Sequence, residues 1–175
     1  EDVRHDAVVL NRPPRLAQVK AELGVRDGGP VDQLGDARIF STLDLRKWFH
    51  QISVDPRDRH LLAFTTPHLG SFTWTALPMG FINSPFLAQS CIDQVFRTPY
   101  KGRTALGNIL SVYIGDLIIF SKNEAEHAEH IEFVLQVLLK HNVQVRANKA
   151  HLFQPRIYFL GFYLEAGQMH IDSAK

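Results

Sequence analysis

Two acids stand out by their settings. Asp44 comes near the end of the run ARIFSTLDL (37–45), and Asp116 follows a glycine inside SVYIGDLIIF (111–120). Carboxylates brought together from separate strands, with few neutralising neighbours, bind a hard divalent cation such as Mg²⁺, which prefers oxygen ligands and usually takes one or two carboxylates plus phosphates. A pair of such ions can activate an attacking hydroxyl and steady a leaving group. Taken singly, either acid is ordinary. Asp is common at strand ends and turns, and Gly-Asp between two β-rich arms is a hairpin signal in its own right, with glycine expected to supply φ > 0. Whether the acids meet depends on the elements that carry them.

Those elements can be read from periodicity and punctuation. Leu16, Val19 and Leu23 fall at helical spacing before Gly24, which predicts a short amphipathic helix led in by Pro13 and Pro14, and the Gly/Asp/Pro-rich stretch 24–36 reads as a loop. A strand is expected over 37–44, and HLLAFTT and SFTWTAL read as two strands around a four-residue Pro67-His68-Leu69-Gly70 loop. Ser84 is the expected N-cap and Pro85 the first residue of a helix over 84–97, with Leu87, Cys91 and Val95 on its inner face. After the strands at 109–120, Ser121 to Glu124 read as a capping box for a helix over 124–141 whose inner stripe is Ile131, Val134, Leu135 and Leu138. RIYFLGFYL and MHI, around the turn at 165–168, close the chain as a hairpin. Leaving aside the hairpin at 60–77, the order is the split β-α-β-β-α-β pattern, an α+β antiparallel sheet with both helices on one face. That topology makes the first strand and the 112–118 hairpin neighbours and allows Asp44 to lie beside Asp116.

Composition narrows the setting. The 175 residues are 45% apolar, enough for about one domain with a sizeable core, and no repeat or low-complexity segment interrupts them. The single Cys91 excludes an internal disulfide and a cysteine zinc framework, which leads to the expectation of an intracellular chain. Neither a membrane span nor a signal peptide is expected. The net charge of +1 hides an uneven distribution: 122–139 is acid-rich, whereas 140–156 carries Lys140, Arg146, Lys149 and Arg156 with no acid. This basic stripe is either a solvated edge or a phosphate contact. His127 and His130 sit among acids on a helix and are expected to be solvated. Walker and Rossmann phosphate loops, HExxH and G-x-S-x-G are all lacking.

ARIFSTLDL with FHQI (49–52), then LPMGFINSP (77–85), YIGDLIIFSKNEAEH (113–127), ANK (147–149) and YFLGFYL (158–164) resemble, in order and spacing, the successive motifs of reverse transcriptases, above all those of gypsy-type LTR retrotransposon pol polyproteins. The resemblance implies a polymerase palm with partial fingers, the fingers at 1–36 and 53–77 and the palm at 37–52 and 78–175. It implies RNA-directed DNA polymerisation with two Mg²⁺ ions, or Mn²⁺, with dNTP as substrate and an RNA or DNA template–primer duplex as partner. Thumb, connection and ribonuclease H domains would follow in the parent polyprotein. A cytoplasmic site in a virus-like particle is implied, with the nucleus as the alternative and no membrane partner.

By the same resemblance Asp44, the Leu45 carbonyl and Asp116 bind metal, and Lys149 assists pyrophosphate departure. Backbone groups of Lys47 and Trp48 face the triphosphate, and Phe49 blocks a ribose 2′-OH. Pro78, Met79 and Gly80 lie under nucleotide and template and continue through Asn83, while Tyr113 belongs to the template–primer surface. Phe159, Leu160 and Gly161 grip the primer end.

The departures from the pattern carry expectations too. The family's turn is Tyr-x-Asp-Asp, and Gly115 stands where its first metal-binding Asp belongs. Loss of one such electrostatic group commonly costs about 10²–10³ in rate, so polymerase activity is expected to be severely reduced. Trp48 replaces a usually small residue and is expected to crowd the nucleotide pocket. Asp2 and Arg4 look like the end of a fingers strand, without the triphosphate-gripping Lys and Arg that normally precede it. A non-catalytic binding module for RNA or a protein partner is the alternative reading.

Overall fold

The computed structural model describes residues 36–160, 162–166 and 168–171. The helix expected over 16–23, nearly all of the loop over 24–36, Asp2, Arg4 and Gly161 lie outside them. In chain order the described elements are β1 (Ile39–Asp44), α1 (Trp48–Gln51), β2 (Ala63–Thr66), β3 (Gly70–Thr73), α2 (Ser84–Val95), β4 (Pro99–Tyr100), β5 (Arg103–Thr104), β6 (Leu110–Tyr113), β7 (Asp116–Ser121), α3 (Glu124–Lys140), β8 (His151–Gln154), β9 (Arg156–Phe159), β10 (Phe162–Glu165) and β11 (Gln168–Ile171). Short 3₁₀ turns occupy Arg59–Leu62 and Ala147–Lys149.

The central sheet has the order β6-β7-β1-β8, all antiparallel, which is the expected split pattern. Its fourth strand is HLFQ at 151–154, which the sequence leaves unassigned because it lacks β-branched residues and shows no alternation. β7 lies inside the sheet and is buried on both faces, so Leu117 to Phe120 read as a continuous apolar run. Leu117 and Ile119 join Leu43, Ile92, Val134 and Leu138 in the layer beneath α2 and α3. Ile118 and Phe120 point the other way, to Phe40, Ile157, Phe159 and Leu164. That second face is covered by the three-stranded sheet β11-β10-β9. Each of these fully buried aliphatic or aromatic side chains contributes about 1.5–3 kcal/mol relative to exposure.

Several local readings shift. α2 buries Ser84, Ala88 and Ile92, one position along from the expected face, and Leu87 is exposed. Asn83 is its N-cap, and the Ser84 hydroxyl instead donates to the Pro78 carbonyl at 2.6 Å. α3 is capped by Asn123, whose side chain accepts from Glu126 N–H at 3.0 Å, and Val137 takes the inner place given to Leu135. Ser121 is free of capping duty because it binds both histidines: its hydroxyl lies 2.7 Å from His127 Nδ1 and 2.7 Å from His130 Nδ1. His127 Nε2 is 2.7 Å from the Ser41 hydroxyl, which also accepts from Phe153 N–H at 3.0 Å. The two histidines are therefore buried structural links between α3 and the sheet and are not solvated. RIYFLGFYL divides at Leu160, with φ 49, into β9 and β10. His60 to Leu62 form a 3₁₀ turn ahead of β2, and Gly70 is the first residue of β3 and not part of the loop. Among the described residues no helix is long and apolar enough to cross a membrane.

Candidate active site

The register of β1 on β7 sets the site. Ile39 pairs with Ser121 at one end, and Asp44 pairs with Asp116 at the other. Directly opposed residues on antiparallel strands share a face, so the two carboxylates stand side by side. That face is the one covered by β9, and both acids line a cavity of about 480 Å³ with Thr42, Lys149, His151, Tyr158 and Phe159.

The β6–β7 hairpin that leads into Asp116 differs from its sequence reading in its turn residues and in which of them is left-handed. β6 and β7 pair Tyr113 with Asp116, so the turn residues are Ile114 and Gly115. The left-handed conformation falls on Ile114, with φ 55, and not on glycine. Two hydrogen bonds hold that unfavourable residue. Ile114 N–H donates to Gln89 Oε1 at 2.7 Å, and Leu45 N–H donates to the Gly115 carbonyl at 2.8 Å. Gln89 also donates to the Val112 carbonyl at 3.2 Å, so one α2 side chain ties β6 to the turn that follows it.

A second brace holds the segment after Asp44. Gln51 Nε2 donates to the Arg46 carbonyl at 2.6 Å and to the Gln144 carbonyl at 3.0 Å, and its Oε1 accepts from Gln144 N–H at 2.7 Å. Arg146 N–H in turn donates to the Asp44 carbonyl at 2.8 Å. Neither Gln89 nor Gln51 was singled out from sequence. A lone glutamine carries no local signal, although Gln51 falls inside the FHQI motif.

Charge at the site is already partly balanced. Arg146 Nε is 3.3 Å and Lys149 Nζ 3.5 Å from the Asp44 carboxylate. Arg146 approaches Oδ1 and Lys149 approaches Oδ2, and Oδ1 is buried without a hydrogen bond. Asp116 keeps an exposed surface, but partial desolvation first, and the adjacent Asp44 second, hold its carboxyl above the ordinary pKa, with Lys149 pulling it back. A buried carboxylate oxygen lacking a hydrogen bond, beside a second carboxylate that is uncomfortable when charged, is the donor chemistry of one divalent cation. Among the described residues no group of three or more His, Cys, Asp or Glu could hold a metal.

The remaining candidates are dispersed. Lys47 is exposed, with φ 46, and caps α1. Trp48 is buried, with its indole Nε1 donating to the Ala88 carbonyl at 3.1 Å. Phe49 is half-buried against the main core, and Leu45 is buried in it. Pro78 is buried, Met79 and Asn83 are exposed, and Gly80 has φ +88. None of these four is among the residues lining the cavity. Tyr113 is half-buried at the hairpin, while Phe159 is buried and Leu160 borders the cavity. Of the basic stripe, Lys140, Lys149 and Arg156 are exposed and Arg146 is half-buried. Arg146 and Lys149 face Asp44, and Arg156 lies 3.7 Å from Glu165 and over the Tyr163 ring.

Known proteins share this chain's sequence and fold. It is 34% identical over 142 residues to the retrovirus-related Pol polyprotein from transposon gypsy of Drosophila melanogaster, covering 81% of the chain and 13% of that protein. It is 34% identical over 130 residues to an enzymatic polyprotein of cauliflower mosaic virus, covering 74% and 18%. A solved foamy viral protease-reverse transcriptase in complex with RNA/DNA hybrid superposes with TM-score 0.66 at 27% identity, covering 80% of this chain and 19% of that one. A foamy viral protease-reverse transcriptase dRH in complex with double-stranded DNA gives TM-score 0.66 at 27% identity, covering 78% of this chain and 22% of that one. The chain thus spans under a quarter of these relatives' length. The model of the reverse transcriptase (RNA-dependent DNA polymerase) family matches residues 9–164, and the chain belongs to that family.

Proposed function

We propose that this chain carries the catalytic palm of an RNA-directed DNA polymerase and that its polymerase step is severely slowed. The observation that carries the reading is the cross-strand pairing of Asp44 with Asp116 in a cavity that Lys149 also lines. Asp44 and Asp116 would hold one divalent cation, Mg²⁺ or Mn²⁺, with a dNTP triphosphate completing its oxygen shell. The cation, when bound, supplies Lewis-acid activation of a primer hydroxyl and neutralises charge on the triphosphate.

Asp116, held partly desolvated, gains from that positive charge. Lys149 lies close enough to the acids to hold a proton beside the departing pyrophosphate. Phe49 supplies the bulk that disfavours a ribose 2′-OH, and Phe159 with Leu160 places the primer end over the cavity. Position 115 supplies no carboxylate, and the missing group accounts for a deficit of about 10²–10³ or more in rate. The template–primer duplex, the dNTP and the further pol subdomains belong to this proposal, as does the division into fingers (53–77) and palm.

A second reading is favoured by one observation. Asp44 already has Arg146 and Lys149 as counter-ions, which suits a non-catalytic module that binds nucleic acid or a protein partner. Single-nucleotide incorporation on an RNA template, with the chain set in the framework of a gypsy-type relative, tests the first reading. Residual incorporation at least 10²-fold below the relative, abolished by Asp44→Ala, is the expected result. Incorporation that persists in Asp44→Ala would sink the site assignment. For the second reading, duplex binding should weaken with salt and with Lys149→Ala, as phosphate contacts require.

A further inference from the structure

Position 115 lacks a side chain, and its backbone conformation does not explain why. Gly115 lies outside the left-handed region, whose burden falls on Ile114 at φ 55. An ordinary residue could adopt the backbone of Gly115. The obstacle is spatial: a Cβ built there would lie 3.3 Å from Trp48 Cβ, 3.8 Å from Trp48 Cγ and 3.9 Å from Leu45 Cβ. The first distance is closer than a carbon–carbon contact near 3.5–4.0 Å permits without a shift of one partner.

Both partners are tied in place. The turn is tied on one side by Leu45 N–H to the Gly115 carbonyl and on the other by Ile114 N–H to Gln89. Trp48 is only 6% exposed, and its Nε1 is committed to the Ala88 carbonyl at 3.1 Å, so its Cβ is fixed by an indole locked in the core. Close-packed interiors transmit such constraints and do not absorb them.

We propose that Trp48 and Gly115 form a coupled pair, in which the locked indole keeps position 115 bare and thereby limits the Asp44–Asp116 site to two carboxylates. Trp48 is in this sense a positioning residue. Its side chain decides whether the turn can carry a third oxygen ligand. The metal consequence rests on the proposed cation site, whereas the packing coupling does not. One practical corollary is that Gly115→Asp alone does not rebuild a two-ion site, because the new side chain meets Trp48 before it can take up a ligating position.

The test is a double-mutant cycle on the full 175-residue chain, read by thermal unfolding and by Mn²⁺ binding in EPR titration. Gly115→Ala adds only the Cβ and isolates packing from charge. In the parent it should lower Tm by roughly 3–6 °C; in a Trp48→Gly background the same change should cost less than half of that. If Trp48→Gly does not fold, Trp48→Ala, which removes the indole anchor and leaves the Cβ able to relax, takes its place. For metal, Gly115→Asp should bind Mn²⁺ no tighter than the parent, and Gly115→Asp combined with the Trp48 change at least tenfold tighter.

Equal Tm losses in the two backgrounds would overturn the coupling, as would Gly115→Asp alone binding Mn²⁺ as tightly as the double variant. Coupled Tm values with no Mn²⁺ binding by any variant would uphold the pair and refute the cation site.

Discussion

The strand pair β1–β7 carries polar groups at both ends, and the two ends are finished in opposite ways. At the Ile39–Ser121 end, Ser41, Ser121, His127 and His130 form a buried network with hydrogen bonds of 2.7 Å. At the Asp44–Asp116 end, two carboxylates share one face, Asp44 Oδ1 is buried without a hydrogen bond, and cations stand off at 3.3 and 3.5 Å. A saturated network rigidifies a fold, whereas an unsaturated one marks a place poised for a ligand. The difference separates architecture from chemistry on strands only a few residues long.

The comparison breaks most visibly at the saturated end. His127→Ala would leave the Ser41 and Ser121 hydroxyls short of a partner and open a cavity between α3 and the sheet. The expected loss is about 4 kcal/mol, measured by urea unfolding. A loss under about 1 kcal/mol would show that the network is not structural.

Acidification sharpens the contrast next. Burial first and His130 second depress the His127 pKa from 6.5 to about 4. The unfolded chain therefore binds a proton that the folded chain refuses between those values. Stability from this group is complete above pH 6.5 and is lost as pH falls toward 4, a change on the order of 3 kcal/mol. His130 is shifted the same way, chiefly by burial. Asp116 has the opposite sign: its pKa is raised on folding, so charging it costs stability, and acidification relieves that cost. Tm followed from pH 7 to 4 should fall in the parent and should fall much less in His127→Leu, provided that variant folds.

A smaller effect is expected at the hairpin. Gln89→Ala removes the acceptor for Ile114 N–H and should cost about 1 kcal/mol in unfolding free energy. Smallest in stability is Arg146→Ala, at or below about 1 kcal/mol because the pair with Asp44 is partly exposed. The same change should tighten Mn²⁺ binding, since it removes a competing positive charge next to Asp44. Unchanged or weaker Mn²⁺ binding would mean that Arg146 is not the counter-ion of an otherwise open cation site.

Much of this was legible beforehand, and the misses have physical causes. The split topology and the Asp44–Asp116 neighbourhood follow from the order of strong periodic segments, and family motifs named the acids. What failed was long-range satisfaction. His127 and His130 lie among glutamates, and only the serines contributed by β1 and β7 reveal why they turn inward. Ser84 and Ser121 matched capping patterns, but tertiary acceptors claimed both hydroxyls. Local turn rules gave the positive φ to Gly115, whereas it falls on Ile114, whose N–H donates to Gln89 Oε1 while the neighbouring Gly115 carbonyl accepts from Leu45 N–H. The anchor of Trp48, the Ala88 carbonyl, lies far along the chain and leaves no local signal.

The Gln51 brace has a kinetic meaning. Its amide ties the carbonyls of Arg46 and Gln144 together and holds the Gln144 amide, and the Arg46 N–H itself donates to the Gln144 carbonyl at 2.9 Å. The segments bearing Lys47 and Lys149 are therefore latched to each other and open as one unit. In native-state hydrogen exchange the Arg46 and Gln144 amides should share a single opening rate, and Gln51→Ala should release both at once.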